Sequence, residues 1–325
     1  MEKQEALSLA GLTVRFPGPK GWMTAVDGID LTVPQGAIVG LVGESGCGKS
    51  VTALSVLGLV DAPGEVSGGT IQFDGQDLRT LSPKALRHIR GNRVSMIFQD
   101  PMTSLSPVYP VGRQVDEVLR LHQKLSRAEA KARTVALFRD VGIPDPEARY
   151  KDYPRSLSGG QRQRVMIAMA MACEPELLIA DEPTTALDAT IQAQILRLMA
   201  RLRREHDTSV LLITHNMGVV AQLCDIVYVM YAGQIVEQAE CFALFQAPRH
   251  PYTLGLLRAI PSAEGGKERL YTIPGSVPAL DAMPEGCRFA DRCPKAQARC
   301  RQACPPLRSV APGHKVRCFV EEGSL

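Results

Sequence analysis

The stretch GESGCGKS, from Gly43 to Ser50, decides the fold because it fits the pattern G-x-x-x-x-G-K-[ST] of a phosphate-binding loop. An apolar run of strand length, Ala37 to Val42, comes directly before it, and the residues from Val51 to Val60 have the composition of a helix. A strand, a glycine-rich loop and a helix in this order form the context in which the motif binds phosphate. The sequence therefore predicts an anion site where this strand passes into this helix.

The residue types of the loop suit a nucleotide. Gly43, Gly46 and Gly48 allow the backbone to curl so that successive N–H groups face one anion. The N-terminus of the following helix adds partial positive charge at the same point. Lys49 places an ammonium group on the outer phosphates, and the hydroxyl of Ser50 can bind Mg²⁺.

Length, charge and hydropathy limit the class of protein. The chain has 325 residues, enough for one large domain and a small second one. A net charge of +3 gives no electrostatic reason to expect nucleic acid as a partner. The first residues lack the layout of a signal peptide, and no apolar run reaches about 18 residues, the length that crosses a bilayer. We therefore expect a cytosolic protein, in which any membrane role must come through partner subunits.

Periodicity along the chain predicts an α/β fold. Residues 7–16 and 25–33 alternate as strands, and with residues 68–74 they suggest an antiparallel sheet beside a parallel one. Residues 102–156 carry helical spacing, which predicts an inserted helical subdomain. Strands and helices then alternate as in α/β proteins, and from about Pro261 the composition shifts to Pro, Gly and Cys.

Two acidic residues follow a second strand of the buried type. Asp181 and Glu182 come directly after the apolar run 177–180. A carboxylate at such a strand end can hold Mg²⁺, and its neighbour can accept a proton from an attacking water. A solvated strand end is the simpler interpretation, but the phosphate loop upstream favours a catalytic pair.

A second anion site is predicted at LSGGQ, Leu157 to Gln161. Ser158 is a good N-cap, and its hydroxyl, the backbone N–H groups and the helix dipole all favour an anion. One nucleotide does not need two such sites in one monomer. Two copies that face each other head to tail would use both, with one loop on each side of each ATP.

Together these motifs resemble those of the ATP-binding subunit of an ATP-binding-cassette (ABC) transporter. Gly43–Ser50 matches the Walker A motif, Leu177–Glu182 the Walker B motif and Leu157–Gln161 the family signature. The resemblance covers roughly residues 7–260, and an ordered set of motifs is more specific than any one of them. The remaining matches are the Q-loop glutamine Gln99, the D-loop aspartate Asp188 and the switch histidine His215.

The resemblance implies ATP and Mg²⁺ as cofactors and gives each motif residue a role. Glu182 would be the general base, and His215 would contact the γ-phosphate and orient the attacking water. The Mg²⁺ shell would comprise Ser50, Gln99 and Asp181. The residues expected to contact nucleotide, some of them across a subunit interface, are Phe16, Gly43, Glu44, Ser45, Gly46, Cys47, Gly48, Lys49, Ser50, Val51, Gln99, Ser158, Gly159, Gly160, Gln161, Asp181 and Asp188.

An aromatic residue before the Walker A motif stacks on adenine in this family. Phe16 and Trp22 are both candidates, because the insertion from Pro17 to Gly21 blurs the alignment. Either ring could instead belong to the core or to hairpin packing. Val51 occupies a position where many members have threonine, which leaves Ser50 as the hydroxyl for Mg²⁺.

Longer stretches resemble the oligopeptide/dipeptide permease subfamily, among them FQDPMTSLSPVYPVG from Phe98 and RHPYTLGLLRAIP from Arg249. The resemblance implies import of di- or oligopeptides, or of nickel or another small solute, which the same subfamily also serves. It implies two transmembrane permease subunits, an extracytoplasmic solute-binding protein, and a homologous ATPase in a heterodimer rather than a homodimer. The chain would be a peripheral subunit on the cytoplasmic face of the inner membrane. The segment Gln99–Gly112 would dock a membrane subunit, and its Pro and Ser content predicts a loop.

The C-terminal stretch is rich in cysteine. A segment with so few apolar residues needs an additional cross-link, such as a bound metal, to fold. The absence of a C-x₂-C pair disfavours a zinc ribbon. The subfamily resemblance implies a [4Fe–4S] cluster, with Cys304 as the spare thiol, and free thiols or a zinc site stay as alternatives. The expected cluster ligands are Cys287, Cys293, Cys300 and Cys318.

We therefore predict an α/β protein with an ABC-type ATPase core, made of a RecA-like lobe of mixed sheet and an antiparallel β subdomain. The core would span residues 1–260, with the helical subdomain at about 102–165, and a small Cys-rich appendage would span 261–325. A soluble ABC-type ATPase of DNA repair is an alternative, but it needs a long coiled coil or zinc modules where this chain has a compact insert. The intact Glu182 argues against a non-catalytic regulatory subunit.

Overall fold

The computed structural model describes residues 4–19, 21–185, 187–260 and 271–320. Its strands are β1 (Glu5–Gly18), β2 (Gly21–Pro34), β3 (Ile38–Val42), β4 (Glu65–Phe73), β5 (Gln76–Asp77), β6 (Val94–Ile97), β7 (Leu177–Asp181), β8 (Ser209–Thr214), β9 (Ile226–Tyr231), β10 (Gln234–Glu240), β11 (Arg308–Ala311) and β12 (His314–Val316). Its α-helices are α1 (Lys49–Val56), α2 (Pro83–Ile89), α3 (Pro101–Ser104), α4 (Val111–His122), α5 (Arg127–Asp140), α6 (Pro146–Arg149), α7 (Gly159–Met171), α8 (Ala189–His206), α9 (Met217–Leu223), α10 (Cys241–Gln246), α11 (Pro251–Arg258) and α12 (Ala298–Gln302). Short 3₁₀ turns occur at Leu78–Thr80, Pro154–Ser156, Leu280–Ala282 and Ala290–Arg292.

The chain forms two compact units. The first comprises Met1–Ala6, Pro34–Gly36 and Thr80–Leu212. The second comprises Leu7–Val33, Ala37–Arg79 and Ile213–Leu325. The division into residues 1–260 and 261–325 stays a prediction, and its boundary falls at residues 261–270, outside the described part of the chain.

Parallel strands and a group of helices build the first unit. Strand β6 pairs in parallel with β7, and β8 lies on the other side of β7. All of β7 is buried, as expected for a parallel strand that is covered on both faces. Helices α4, α5 and α7 pack on one another, with Val115, Leu119 and Phe138 fully buried.

One part of the first unit differs from the sequence-based expectation. The segment 99–112 is not all loop, because α3 spans Pro101–Ser104 and α4 begins at Val111. The hydroxyl of Ser104 donates to the carbonyl of Asp100 at 2.7 Å. Short polar side chains can thus satisfy the backbone of one helical turn, an effect that composition alone does not indicate.

An antiparallel sheet with the order β2-β1-β4-β5 lies in the second unit. Strand β1 pairs with β4 so that Leu7 faces Phe73 and Leu9 faces Ile71, and all four side chains are buried. The alternation of buried and exposed positions along β1 is the pattern of a sheet with one face on the core.

Five further strands of the second unit form mixed sheet in the order β3-β9-β10-β12-β11. Strand β3, whose five residues are all buried, runs parallel to β9, and the later strands are antiparallel. Strand β12 pairs with β10 through Glu237 opposite Val316. The C-terminal region, by which we mean the described residues 271–320, therefore adds two strands to the sheet that carries the phosphate loop.

Among the residues that the structure describes, no helix is both long enough and apolar enough to span a membrane.

Candidate active site

The phosphate loop connects β3 to α1. Helix α1 begins at Lys49 with Gly48 as its N-cap, and no side chain caps its first turn. An anion is the usual partner for such N–H groups. Gly43 has no room for a side chain, since a Cβ would lie 2.1 Å from the carbonyl oxygen of Met230. Gly46 has a φ of +78°, in the left-handed region that favours glycine, and an added Cβ there would meet no atom within 4 Å.

Lys49 lies folded across this loop. Its side chain is buried, and Nζ donates to the carbonyl oxygens of Gly43 at 2.8 Å and Glu44 at 2.9 Å. The ammonium group is therefore held at the mouth of the loop, where phosphate oxygens could replace the carbonyls. Burial raises the pKa of the neighbouring Cys47 thiol, although the charge of Lys49 opposes this effect. Cys47 is thus a protonated packing residue behind the loop, and Ser50 lies half-buried in the first turn of α1.

The first unit brings the side chains of Gln99 and Thr185 to the carboxylate of Glu182. Asp181 is the buried last residue of β7, and Glu182 follows it with a φ of +47°. The Nε2 atom of Gln99 donates to Oε2 of Glu182 at 3.3 Å. The hydroxyl of Thr185 donates to the same oxygen at 2.8 Å. Sequence reasoning missed Thr185, although its place three residues after the acid is the spacing of a tight turn.

The signature stretch forms the start of α7. Ser158 is the N-cap, as predicted, and its hydroxyl accepts from the backbone N–H of Gln161 at 3.2 Å. The side-chain oxygen of Gln161 accepts in return from the N–H of Ser158 at 2.9 Å. Gly160 packs closely against α8, because a Cβ there would lie 2.8 Å from Cγ2 of Ile191. Gly159 has no such neighbour, since the nearest atom would be 3.8 Å away.

The last two motif residues lie at the starts of helices. Asp188 is the N-cap of α8 and accepts from the N–H groups of Thr190 and Ile191, both at 3.0 Å. His215 is exposed between β8 and α9, whose N-cap is Asn216. Asp188 thus caps α8, and His215 directly precedes the N-cap of α9. The roles predicted for both residues stay predictions.

Two family descriptions match the chain. The one described as ABC transporter matches residues 26–185, and the one described as oligopeptide/dipeptide transporter, C-terminal region, matches residues 236–300. The chain is 51% identical over 315 residues to the probable peptide ABC transporter ATP-binding protein y4tR of Sinorhizobium fredii, covering 96% of this chain and 94% of that protein. It is 49% identical over 312 residues to the dipeptide transport ATP-binding protein DppD of Escherichia coli, covering 96% and 95%. The chain belongs to the ATP-binding proteins of ABC transporters.

Solved structures agree with this assignment. A dimeric structure of MJ0796, a bacterial ABC transporter cassette, superposes with a TM-score of 0.66 at 25% identity, covering 72% of this chain and 98% of that one. The predicted ABC-type α/β fold is thereby confirmed. As a member of this family, the chain is an ABC-type ATPase.

The two aromatic candidates of this ABC ATPase have different surroundings. Phe16 is half-buried, and its ring lies against Gly64, where a Cβ would come within 2.3 Å of it. Trp22 is 50% exposed, with the guanidinium of Arg15 4.8 Å from its ring centre. Trp22 and Leu280 line a cavity of about 300 Å³. The choice between Phe16 and Trp22 as the adenine-stacking residue stays a prediction.

The C-terminal thiols of the ABC ATPase require a correction. Among the residues that the structure describes, no group of three or more His, Cys, Asp or Glu side chains is arranged to hold a metal ion. The predicted [4Fe–4S] cluster is therefore wrong. The thiols are free, which was one of the alternatives. The expected ligands were Cys287, Cys293, Cys300 and Cys318, with Cys304 as the spare thiol.

The described C-terminal thiols lie in a packed region. Burial raises the pKa of Cys287 to about 11 and also raises the pKa values of Cys293 and Cys318, so these free thiols are protonated at neutral pH. The region packs on other parts of the second unit, because β12 pairs with β10 and the ring of Phe289 lies 5.2 Å from that of Tyr231 between ring centres.

Proposed function

We propose that this chain is the ATP-hydrolysing subunit of an importer for di- or oligopeptides. The observation that carries the proposal is the identity of about half of all residues, over nearly the whole length of both chains, with proteins described as peptide and dipeptide transport ATP-binding proteins. The match includes the C-terminal region that is described as typical of oligopeptide/dipeptide transporters.

Each motif residue has a chemical task in this proposal. Lys49 and the N–H groups of its loop would bind the phosphates. Ser50, Gln99 and Asp181 are the residues that would hold Mg²⁺, which would supply positive charge to the phosphates. Glu182 would accept the proton of the attacking water, and the hydrogen bonds from Gln99 and Thr185 would orient its carboxylate. The proposed role of His215 is to contact the γ-phosphate.

Hydrolysis in this proposal needs two ATPase subunits. The phosphate loop and the Ser158–Gln161 stretch of one chain would serve different nucleotides, so that each ATP lies between two subunits. The dimeric assembly of the related cassette MJ0796 supports this arrangement. We infer a heterodimer with a homologous ATPase, bound to two permease subunits at the cytoplasmic face of the membrane and supplied by an extracytoplasmic solute-binding protein.

Solute uptake tests this proposal directly. A strain that lacks the gene should lose uptake of a labelled dipeptide, and the wild-type chain should restore it. Lys49→Ala should not restore uptake, because the loop loses its cation, whereas the exposed Lys84→Ala should restore it as well as wild type. Normal dipeptide uptake without the gene, together with a loss of labelled nickel uptake, would contradict the peptide assignment.

A further inference from the structure

Glu44, the second residue of the phosphate loop, is fixed by bonds to each of its polar groups. Its backbone N–H donates to the hydroxyl of Tyr252 at 2.8 Å. Its carbonyl accepts from Lys49 at 2.9 Å. Its carboxylate accepts two hydrogen bonds from the guanidinium of Arg292, at 2.6 and 2.9 Å. Two of these three partners come from chain segments more than two hundred residues away.

Arg292 is itself rigidly held. Only 5% of its side chain is exposed. Its Nε donates to the carbonyl of Pro274 at 2.8 Å, and Nη1 also lies 3.3 Å from the hydroxyl of Tyr231. A guanidinium that makes two parallel hydrogen bonds to one carboxylate loses little conformational entropy for each hydrogen bond that it forms. The C-terminal region therefore presents a fixed guanidinium to the phosphate loop.

Tyr252 is fixed by an aromatic cluster that joins three elements. Its ring is fully buried and lies 4.7 Å from the ring centre of Tyr231 and 5.4 Å from that of Phe289. Tyr231 belongs to β9, Tyr252 to α11 and Phe289 to the C-terminal region. The hydroxyl that accepts from Glu44 is thus held by the same packing that seats the C-terminal region.

An acidic side chain in an anion-binding loop has an electrostatic cost. A free carboxylate at Glu44 would repel the phosphates that the loop binds. A bidentate guanidinium neutralises that charge and also limits the motion of the loop. Such preorganisation improves affinity because the loop loses less freedom when the ligand binds.

We propose that Arg292 is a positioning residue for the phosphate loop, acting through Glu44 with Tyr252 as its second support. The C-terminal region is on this view a structural part of the nucleotide site. The inference rests on the proposed binding of ATP phosphates by this loop. Because linkage is reciprocal, ATP binding must in turn stabilise the contact of the C-terminal region with the loop.

A double-mutant cycle on the full-length chain, read as ATP affinity by calorimetry, tests the proposal. Arg292→Gln should weaken ATP binding about tenfold, because Glu44 keeps an unpaired charge beside the phosphates. In the Glu44→Gln background the same change should alter affinity by no more than about twofold. Arg292→Lys keeps the charge but loses the paired hydrogen bonds to Glu44, so it should recover only part of the lost affinity. Arg301→Gln is the matched control, since Arg301 pairs with Asp291 at 3.6 Å on the exposed surface.

Amide hydrogen exchange supplies a second readout that a purely structural role would not move. ATP should slow exchange across residues 287–293 in the wild-type chain, and this protection should be absent in Arg292→Gln. Wild-type protection is measurable even if that variant fails to fold. Unchanged exchange in the wild type, or equal losses of affinity from Arg292→Gln in both backgrounds, would overturn the inference. The affinity of Lys49→Ala for ATP is measured in parallel. If this variant binds ATP as tightly as the wild type, the proposed function is overturned as well.

Discussion

The side-chain nitrogen of Gln99 lies 3.3 Å from the same carboxylate oxygen of Glu182 that accepts the hydroxyl of Thr185 at 2.8 Å. Gln99 follows β6, and Glu182 follows the neighbouring parallel strand β7. Parallel neighbours end at the same edge of a sheet, which is why residues separated by eighty-three positions meet here. Gln99 and Thr185 both donate to this oxygen, so they orient the carboxylate that is the predicted general base.

The first prediction concerns the proton acceptor. Glu182→Gln preserves the shape of the side chain but removes its basicity, so kcat for ATP should fall by about 10²–10⁴ while ATP still binds. Steady-state hydrolysis and equilibrium binding of ATP by the assembled complex measure the two effects. Glu176→Gln is the control, because Glu176 pairs with Arg93 at the surface and should leave kcat unchanged. Near-normal hydrolysis by Glu182→Gln would refute the assignment.

The second prediction concerns the orientation of the same carboxylate. Thr185→Val removes a hydrogen bond to a charged group while keeping the branched shape, so kcat should fall about tenfold with KM for ATP nearly unchanged. Thr70→Val is the control. Thr70 is a half-buried residue of β4, and its replacement should alter neither kcat nor KM. A rise in KM at constant kcat would mean that Thr185 supports nucleotide binding and not the base.

The third prediction concerns the signature helix. A Cβ at Gly160 would lie 2.8 Å from Ile191, so Gly160→Ala should destabilise the protein by about 1–3 kcal/mol through overpacking. Gly159→Ala, with its nearest neighbour at 3.8 Å, should be neutral or slightly stabilising. Unfolding in denaturant measures both. In an Ile191→Ala background the cost of Gly160→Ala should vanish, and a cost that persists there would place its origin in the backbone.

Local signals in the sequence predicted much of the motif structure. The strand, loop and helix around Lys49 and the N-cap at Ser158 depend on residues within a few positions of one another, so pattern and capping rules suffice. The roles given to these residues stay predictions. The sequence predicts the local secondary structure that makes those roles chemically possible.

Long-range contacts could not be predicted in the same way. The ion pair of Glu44 with Arg292 and the pairing of β12 with β10 depend on how distant segments fold together. Cysteine spacing was also misleading, because spacing does not record whether burial leaves a thiol protonated. Cys287 is an example, because burial raises its pKa to about 11.

His250 is a buried residue that makes one hydrogen bond within its own helix and another to a distant strand. It is the N-cap of α11, where its Nδ1 accepts from the N–H of Tyr252 at 3.0 Å. The backbone N–H of His250 donates to the buried carboxylate of Glu237 at 2.9 Å. Burial lowers the pKa of His250 from 6.5 to about 4, against the favourable charge of Glu237. A neutral ring is therefore required, because protonation of Nδ1 would break the helix cap.

The last prediction is the pH dependence that follows. Between pH 6.5 and pH 4 the unfolded chain binds a proton at His250 that the folded chain does not, so stability falls as the pH falls through this window. The loss from this one group should reach about 3 kcal/mol at pH 4, measured as the free energy of unfolding in denaturant. His250→Asn retains a capping acceptor without a titrating ring. It should be less stable than wild type at pH 7 because of the smaller side chain, and the difference should shrink towards pH 4. A difference that stays constant across this range would show that His250 titrates normally in the folded chain.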